Sequence, residues 1–197
     1  ALNDLAEIYL IQGKSAQAEQ ALKRAIEIDQ KHADSFFDLA KLYEQRRDVA
    51  AATRTYRSLL AAHPSHRGAL YNLALLYEAQ GDNRGAQETV SRLLKLDPKH
   101  ADGWYLAGRI AEKNNDLVEA AHAYRQAIVV KPALVDAHYN LAFIYRSQGK
   151  PVEAERATRL AEYPETAKVP LQVLRIGDVC LGTMPCEVFC EIGLDFK

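Results

Sequence analysis

The chain has 197 residues, of which 48% are hydrophobic and 26% charged, and its 25 Lys and Arg against 26 Asp and Glu leave a formal net charge of −1. That apolar content excludes a disordered chain, and no apolar run nears the ~20 residues of a membrane-spanning helix. The balanced charge gives no electrostatic footprint for nucleic acid, whose phosphates require clustered cations. The chain opens at Ala1 with neither a methionine nor a charged-then-apolar leader, which reads as a fragment or a processed chain.

From the first residues onward, the sequence repeats every 34 positions. Ala18, Ala52, Ala86, Ala120 and Ala154 keep that spacing. So do Ala6, Ala40, Ala74, Gly108 and Ala142, the set Leu5, Leu39, Leu73, Ala107 and Leu141, and the set Tyr9, Tyr43, Tyr77, Ala111 and Tyr145. Pro64, Pro98 and Pro132 mark the joints. Within one repeat, Leu73, Ala74 and Tyr77 recur at helical spacing and face one way, the small residue admitting a neighbouring helix. The period predicts helix pairs at 1–12/15–29, 33–46/49–62, 67–80/83–97, 101–114/117–131 and 135–148/151–162. Gly13, Gly81 and Gly149 fall where first helices end, the left-handed cap position. Arg47 and Asn115 stand there in the other repeats, and asparagine tolerates that conformation better than arginine. The first repeat lacks its opening residues, so a helix is expected before Ala1.

The run Trp104-Tyr105-Leu106-Ala107-Gly108 followed by Ala120, Tyr124, Ala127 and Pro132 closely resembles the tetratricopeptide repeat (TPR) signature. Leu73, Ala74, Tyr77, Gly81, Ala86 and Pro98 match it as well. The resemblance covers 1–162 and implies an all-α fold, an α-solenoid of about five helix-turn-helix repeats (1–32, 33–66, 67–100, 101–134, 135–162) whose first helices line a concave groove. By that resemblance, the groove registers are Asn3, Phe37, Tyr71, Tyr105, Tyr139; then Asp4, Asp38, Asn72, Leu106, Asn140; then Glu7, Lys41, Leu75, Arg109, Phe143. The candidate ligand residues are Phe37, Asp38, Lys41, Tyr71, Asn72, Tyr105, Arg109, Tyr139 and Asn140. Rings there bury a ligand's apolar side chains, and amides pair with an extended backbone. The same rings also pack on the next repeat in this family. Glu44, Glu78 and Glu112 form an acidic row, read as a solvated face. Family members that clamp chaperone C-termini use cations where this chain has Asp38, Asn72 and Asp102, so that ligand is set aside.

Catalytic and metal signals are absent from this reading. Gly13-Lys14-Ser15 lacks the earlier glycine and strand of a phosphate loop. His32, His66 and His100 recur in the joints, one helix-packing distance of ~10 Å apart, too far to share a zinc at ~2 Å per bond. No cofactor is called for.

Residues 163–197 differ in character and hold every cysteine, Cys180, Cys186 and Cys190, and the single methionine, Met184. After a linker at 163–170, the extension 171–197 reads as strand (171–176), turn, strand (179–184), then a helix from Cys186 to about Ile192. The cysteines read as small buried apolar residues. Leu174-Arg175-Ile176-Gly177-Asp178 and Pro185-Cys186-Glu187 faintly resemble the end of the neutral ceramidase catalytic domain, and by that analogy Glu187 would be a zinc ligand; one carboxylate cannot hold a catalytic zinc. The reading is a non-enzymatic scaffold binding a protein or peptide, with neither nucleic acid nor a membrane span. The alternatives are a subunit that self-associates through its repeat ends or tail, and a fragment of, or subunit for, a zinc amidase.

Overall fold

A computed structural model describes residues 2–162, 172–176 and 179–183. Among the described residues, ten helices run in order: α1 (Leu2–Ile11), α2 (Ser15–Ile28), α3 (Ala33–Gln45), α4 (Val49–Ala62), α5 (Arg67–Gln80), α6 (Asn83–Leu96), α7 (Ala101–Lys113), α8 (Leu117–Val130), α9 (Val135–Ser147) and α10 (Pro151–Glu162). Each end lies within one residue of the position that the 34-residue period predicts. The backbone also pairs β1 (Gln172–Ile176) antiparallel with β2 (Val179–Thr183), Gln172 opposite Thr183 and Ile176 opposite Val179. The expected linker, the helix from Cys186, Glu187 and the tail's side chains lie outside the described residues.

The chain divides into two compact units, 1–131 and 132–197. In the first, four hairpins stack in sequence, α2 on α3, α4 on α5 and α6 on α7. Its cores are built from the repeating registers: Ala40, Tyr56, Leu59, Leu70 and Leu73 form one cluster, and Ala74, Ala86, Val90, Leu106 and Ile110 the next. Ala18, Ala52, Ala86 and Ala120 are fully buried, because the side chain at this register must be small for helices to close on it. Leu106, expected in the groove, is instead core at 1% exposure. The second unit holds α9 and α10 packed together and the β1–β2 pair.

One device joins the two helices of every repeat. Gly13, Arg47, Gly81, Asn115 and Gly149 all take positive φ, between 59° and 79°. The next residue's N–H then reaches back to the first helix, as Asp82 does to the Tyr77 carbonyl at 2.9 Å and Asp48 to the Tyr43 carbonyl at 2.9 Å. In the middle repeats that residue is an aspartate that also caps the second helix. Asp48 accepts from the Ala51 N–H at 3.0 Å, Asp82 from Gly85 at 2.9 Å and Asp116 from Glu119 at 3.0 Å. Two residues therefore stop one helix, reverse the chain and start the next.

Candidate functional site

The first helices of the first unit present one face. Contacts between neighbouring first helices fix it: Asn3 of α1 donates to the Asp38 carboxylate of α3 at 3.1 Å, and α7 reaches α5 through Arg109. Phe37, Tyr71 and Tyr105 recur on this face, each half-buried. Their buried side is explained by what they touch. The Phe37 ring lies 5.0 Å from the His66 ring and 5.9 Å from Tyr56, Tyr71 lies 5.2 Å from His100, and Tyr105 lies 5.6 Å from Tyr124. Each ring thus spends one side on packing and offers the other. Burial, with the nearby Asp102 charge, pushes the Tyr71 phenol above its ordinary range against the opposing pull of Arg109.

The polar candidates are engaged as well. Asn72 donates to the Tyr56 hydroxyl at 2.8 Å, and burial pushes that phenol up. Lys41 stands over the Phe37 ring, 5.7 Å from its centre. Arg109 donates to both carboxylate oxygens of Glu78, at 2.7 and 2.9 Å, and Lys113 joins at 2.6 Å. The acidic row is therefore no solvated face. Glu78 is only 4% exposed, and Glu44 and Glu112 are half-buried. Tyr124 donates its hydroxyl to Glu112, and burial raises Glu44 beside Tyr56. Where these repeats carry a tyrosine on the second helix, the third carries Val90, so Glu78 has no phenol and turns to the cations of the next repeat. A buried carboxylate needs such a partner, since leaving it unpaired costs several kcal/mol, of order 3–5.

The joint histidines also have a structural role. Nδ1 of His32, His66 and His100 accepts the backbone N–H three residues on, at 3.3, 3.0 and 2.9 Å. Histidine is no preferred cap, so sequence reasoning missed it; the 34-residue recurrence one residue before α3, α5 and α7 was the available signal. In the second unit, Tyr139 is 46% exposed and Asn140 half-buried on α9. Among the described residues no group of three or more His, Cys, Asp or Glu could hold a metal ion.

Comparison with known proteins agrees with this architecture. Tetratricopeptide repeat profiles match residues 1–32, 37–83, 71–133 and 119–168. The chain belongs to the tetratricopeptide repeat family, a family of protein-interaction scaffolds. It is similar to the crystal structure of MamA at 20% identity and a TM-score of 0.76, over 83% of this chain and 95% of that one. PilF of Pseudomonas aeruginosa aligns at 19% identity and 0.72, over 83% of this chain and 74% of its own. YrrB, a TPR protein with an unusual peptide-binding site, aligns at 16% and 0.71, over 83% and 84%. Such identities speak for the fold alone. No curated protein matches the chain by sequence.

Proposed function

We propose that the chain is a non-enzymatic scaffold that binds an extended peptide of a partner protein across its first-helix face, the concave side in this family. One observation carries the reading: the half-exposed ring row Phe37, Tyr71 and Tyr105, each ring fixed from behind by a histidine or tyrosine. Rings held in one orientation give apolar contact with little loss of side-chain entropy on binding. Asp38, Lys41, Asn72 and Arg109 lie at the neighbouring registers and supply the polar contacts; in the second unit, Tyr139 and Asn140 hold the same two registers by sequence. That YrrB has a peptide-binding site on a similar fold favours the same use here. The proposed organisation is repeats at 1–32, 33–66, 67–100, 101–134 and 135–162, a linker at 163–170 and a strand-turn-strand-helix extension at 171–197. A displayed peptide library panned on the chain tests it. Calorimetry on the enriched peptide should show the Tyr71→Ala/Tyr105→Ala variant weakened by about 1–4 kcal/mol with its helical circular dichroism kept. Equal binding by that variant sinks the reading.

A further inference from the structure

We propose that the face made by α4 and α6 is a second binding surface, one that takes an acidic peptide segment anchored by an apolar side chain. The charge of the chain is balanced overall but not locally. α4 carries Arg54 and Arg57 with no acidic residue, and α6 carries Arg84, Arg92 and Lys95 against Glu88 alone. The neighbouring second helices show no such excess: α2 sets Glu19 and Glu27 against Lys23 and Arg24, and α8 sets Glu119 against Arg125. All five cations of the α4–α6 face are exposed. Arg84 is held by Glu88 at 3.0 Å in an exposed pair, the kind that contributes little. Arg92 makes one contact, to the Pro64 carbonyl at 3.3 Å. Among the described residues, none forms a hydrogen bond or ion pair with the side chain of Arg54, Arg57 or Lys95.

Between the two helices lies a cleft of about 610 Å³. Buried Leu60 and Leu73 and half-buried Tyr77 line its floor, and Arg57, Arg84 and Arg92 stand at its rim with two carboxylates, Asp82, which accepts from the Gly85 N–H, and Glu88, which pairs with Arg84. A carboxylate-rich segment satisfies the rim by charge complementarity, and one apolar side chain fills the floor. A nucleic acid would use the cations and leave the floor empty. The surface is separate from the aromatic row, which lies on the first helices.

Fluorescence anisotropy with the labelled peptide Ac-Glu-Asp-Glu-Phe-Glu-Asp-Glu-NH2 tests the proposal on the full chain. The expected result is binding that weakens about tenfold or more in Arg57→Ser/Arg92→Ser, weakens again when the peptide's Phe is Ala, falls with added salt, and persists in Tyr71→Ala/Tyr105→Ala. Because both substituted arginines are exposed, the helical melt should be unchanged; if it shifts, the charge reversal Arg84→Glu at the same rim gives the same reading. Several outcomes overturn the proposal: no binding of the acidic peptide, equal binding by the arginine variants, or loss confined to the tyrosine variant, which would place the peptide on the first-helix face. Binding of an oligothymidylate in preference to the peptide would also overturn it, in favour of a nucleic-acid surface.

Discussion

Glu19 sits where the first repeat meets the second and ties three side chains together. Lys23 approaches one carboxylate oxygen at 2.7 Å, Tyr43 of α3 donates to it at 3.0 Å, and Arg46 takes the other oxygen. The Lys23 contact leads in pulling the carboxyl from 4.5 down to about 2, against the opposing effect of burial. Because the folded group holds its proton less tightly than the unfolded one, its contribution is complete above pH ~4.5 and is lost as pH falls toward 2. Urea melts from pH 6 to pH 2 should therefore show a shallower acid loss for Glu19→Gln than for the parent. Parallel curves would mean that the trio contributes nothing. A second residue-scale test lies at the positive-φ joint. Arg47 holds φ 60° at a cost that glycine avoids, so Arg47→Gly should raise stability by ~0.5–1 kcal/mol. Asn115→Gly should gain less, because asparagine is at home in that region. Differential scanning calorimetry of the two variants side by side reads the difference.

At the scale of the element, the sequence is most legible where a rule recurs. The 34-residue registers locate the helices because small and large apolar residues must alternate for hairpins to stack. The glycine joints are legible because Gly13, Gly81 and Gly149 announce a left-handed stop that Arg47 and Asn115 then adopt by position. What was not legible depends on pairs of elements. Glu78 looks like part of a solvated row until Val90 is seen to replace the tyrosine that its counterparts use. Leu106 belongs to a groove register by count but to the core by packing. The signature glycine of α7 shows the same dependence. A Cβ built on Gly108 would stand 2.5 Å from the Tyr124 ring, although Ala40 and Tyr56 coexist at the same pair of registers. Gly108→Ala gains up to ~1 kcal/mol of helix propensity, and relieving the clash by moving a buried ring costs ~1–3 kcal/mol. The net expectation is a lower melting temperature. A raised one would mean that Tyr124 moves aside at no cost.

Across the whole molecule, stability is expected to follow the number of stacked hairpins, since each covers only its neighbours' faces. The unit 1–131 contains four hairpins and the clusters that join them, from Ala18 and Leu22 with Leu39 and Leu42, through Tyr56 and Leu70, to Val90 and Ile110. Among the described residues, the unit 132–197 contains a single helical hairpin, α9 with α10, on which Tyr139 and Phe143 are 46% and 66% exposed. The register that carries Ile26, Leu60, Leu94 and Ile128 in the earlier second helices carries Glu162 on α10, and the one that carries Leu22, Tyr56, Val90 and Tyr124 carries Thr158. A repeat array needs about three repeats before its buried faces outweigh the loss of chain entropy. Residues 1–131 expressed alone should therefore melt cooperatively, with the helical signal that α1–α8 predict. Residues 132–197 alone should show weak helicity and a broad, non-cooperative loss of it on heating. The polar substitutions on α10 sharpen the test, because an outer face that tolerates water could let this hairpin persist without a further repeat upon it. A sharp, reversible transition in 132–197 would show that its stability comes from within, and that stacking number is the wrong measure for this chain.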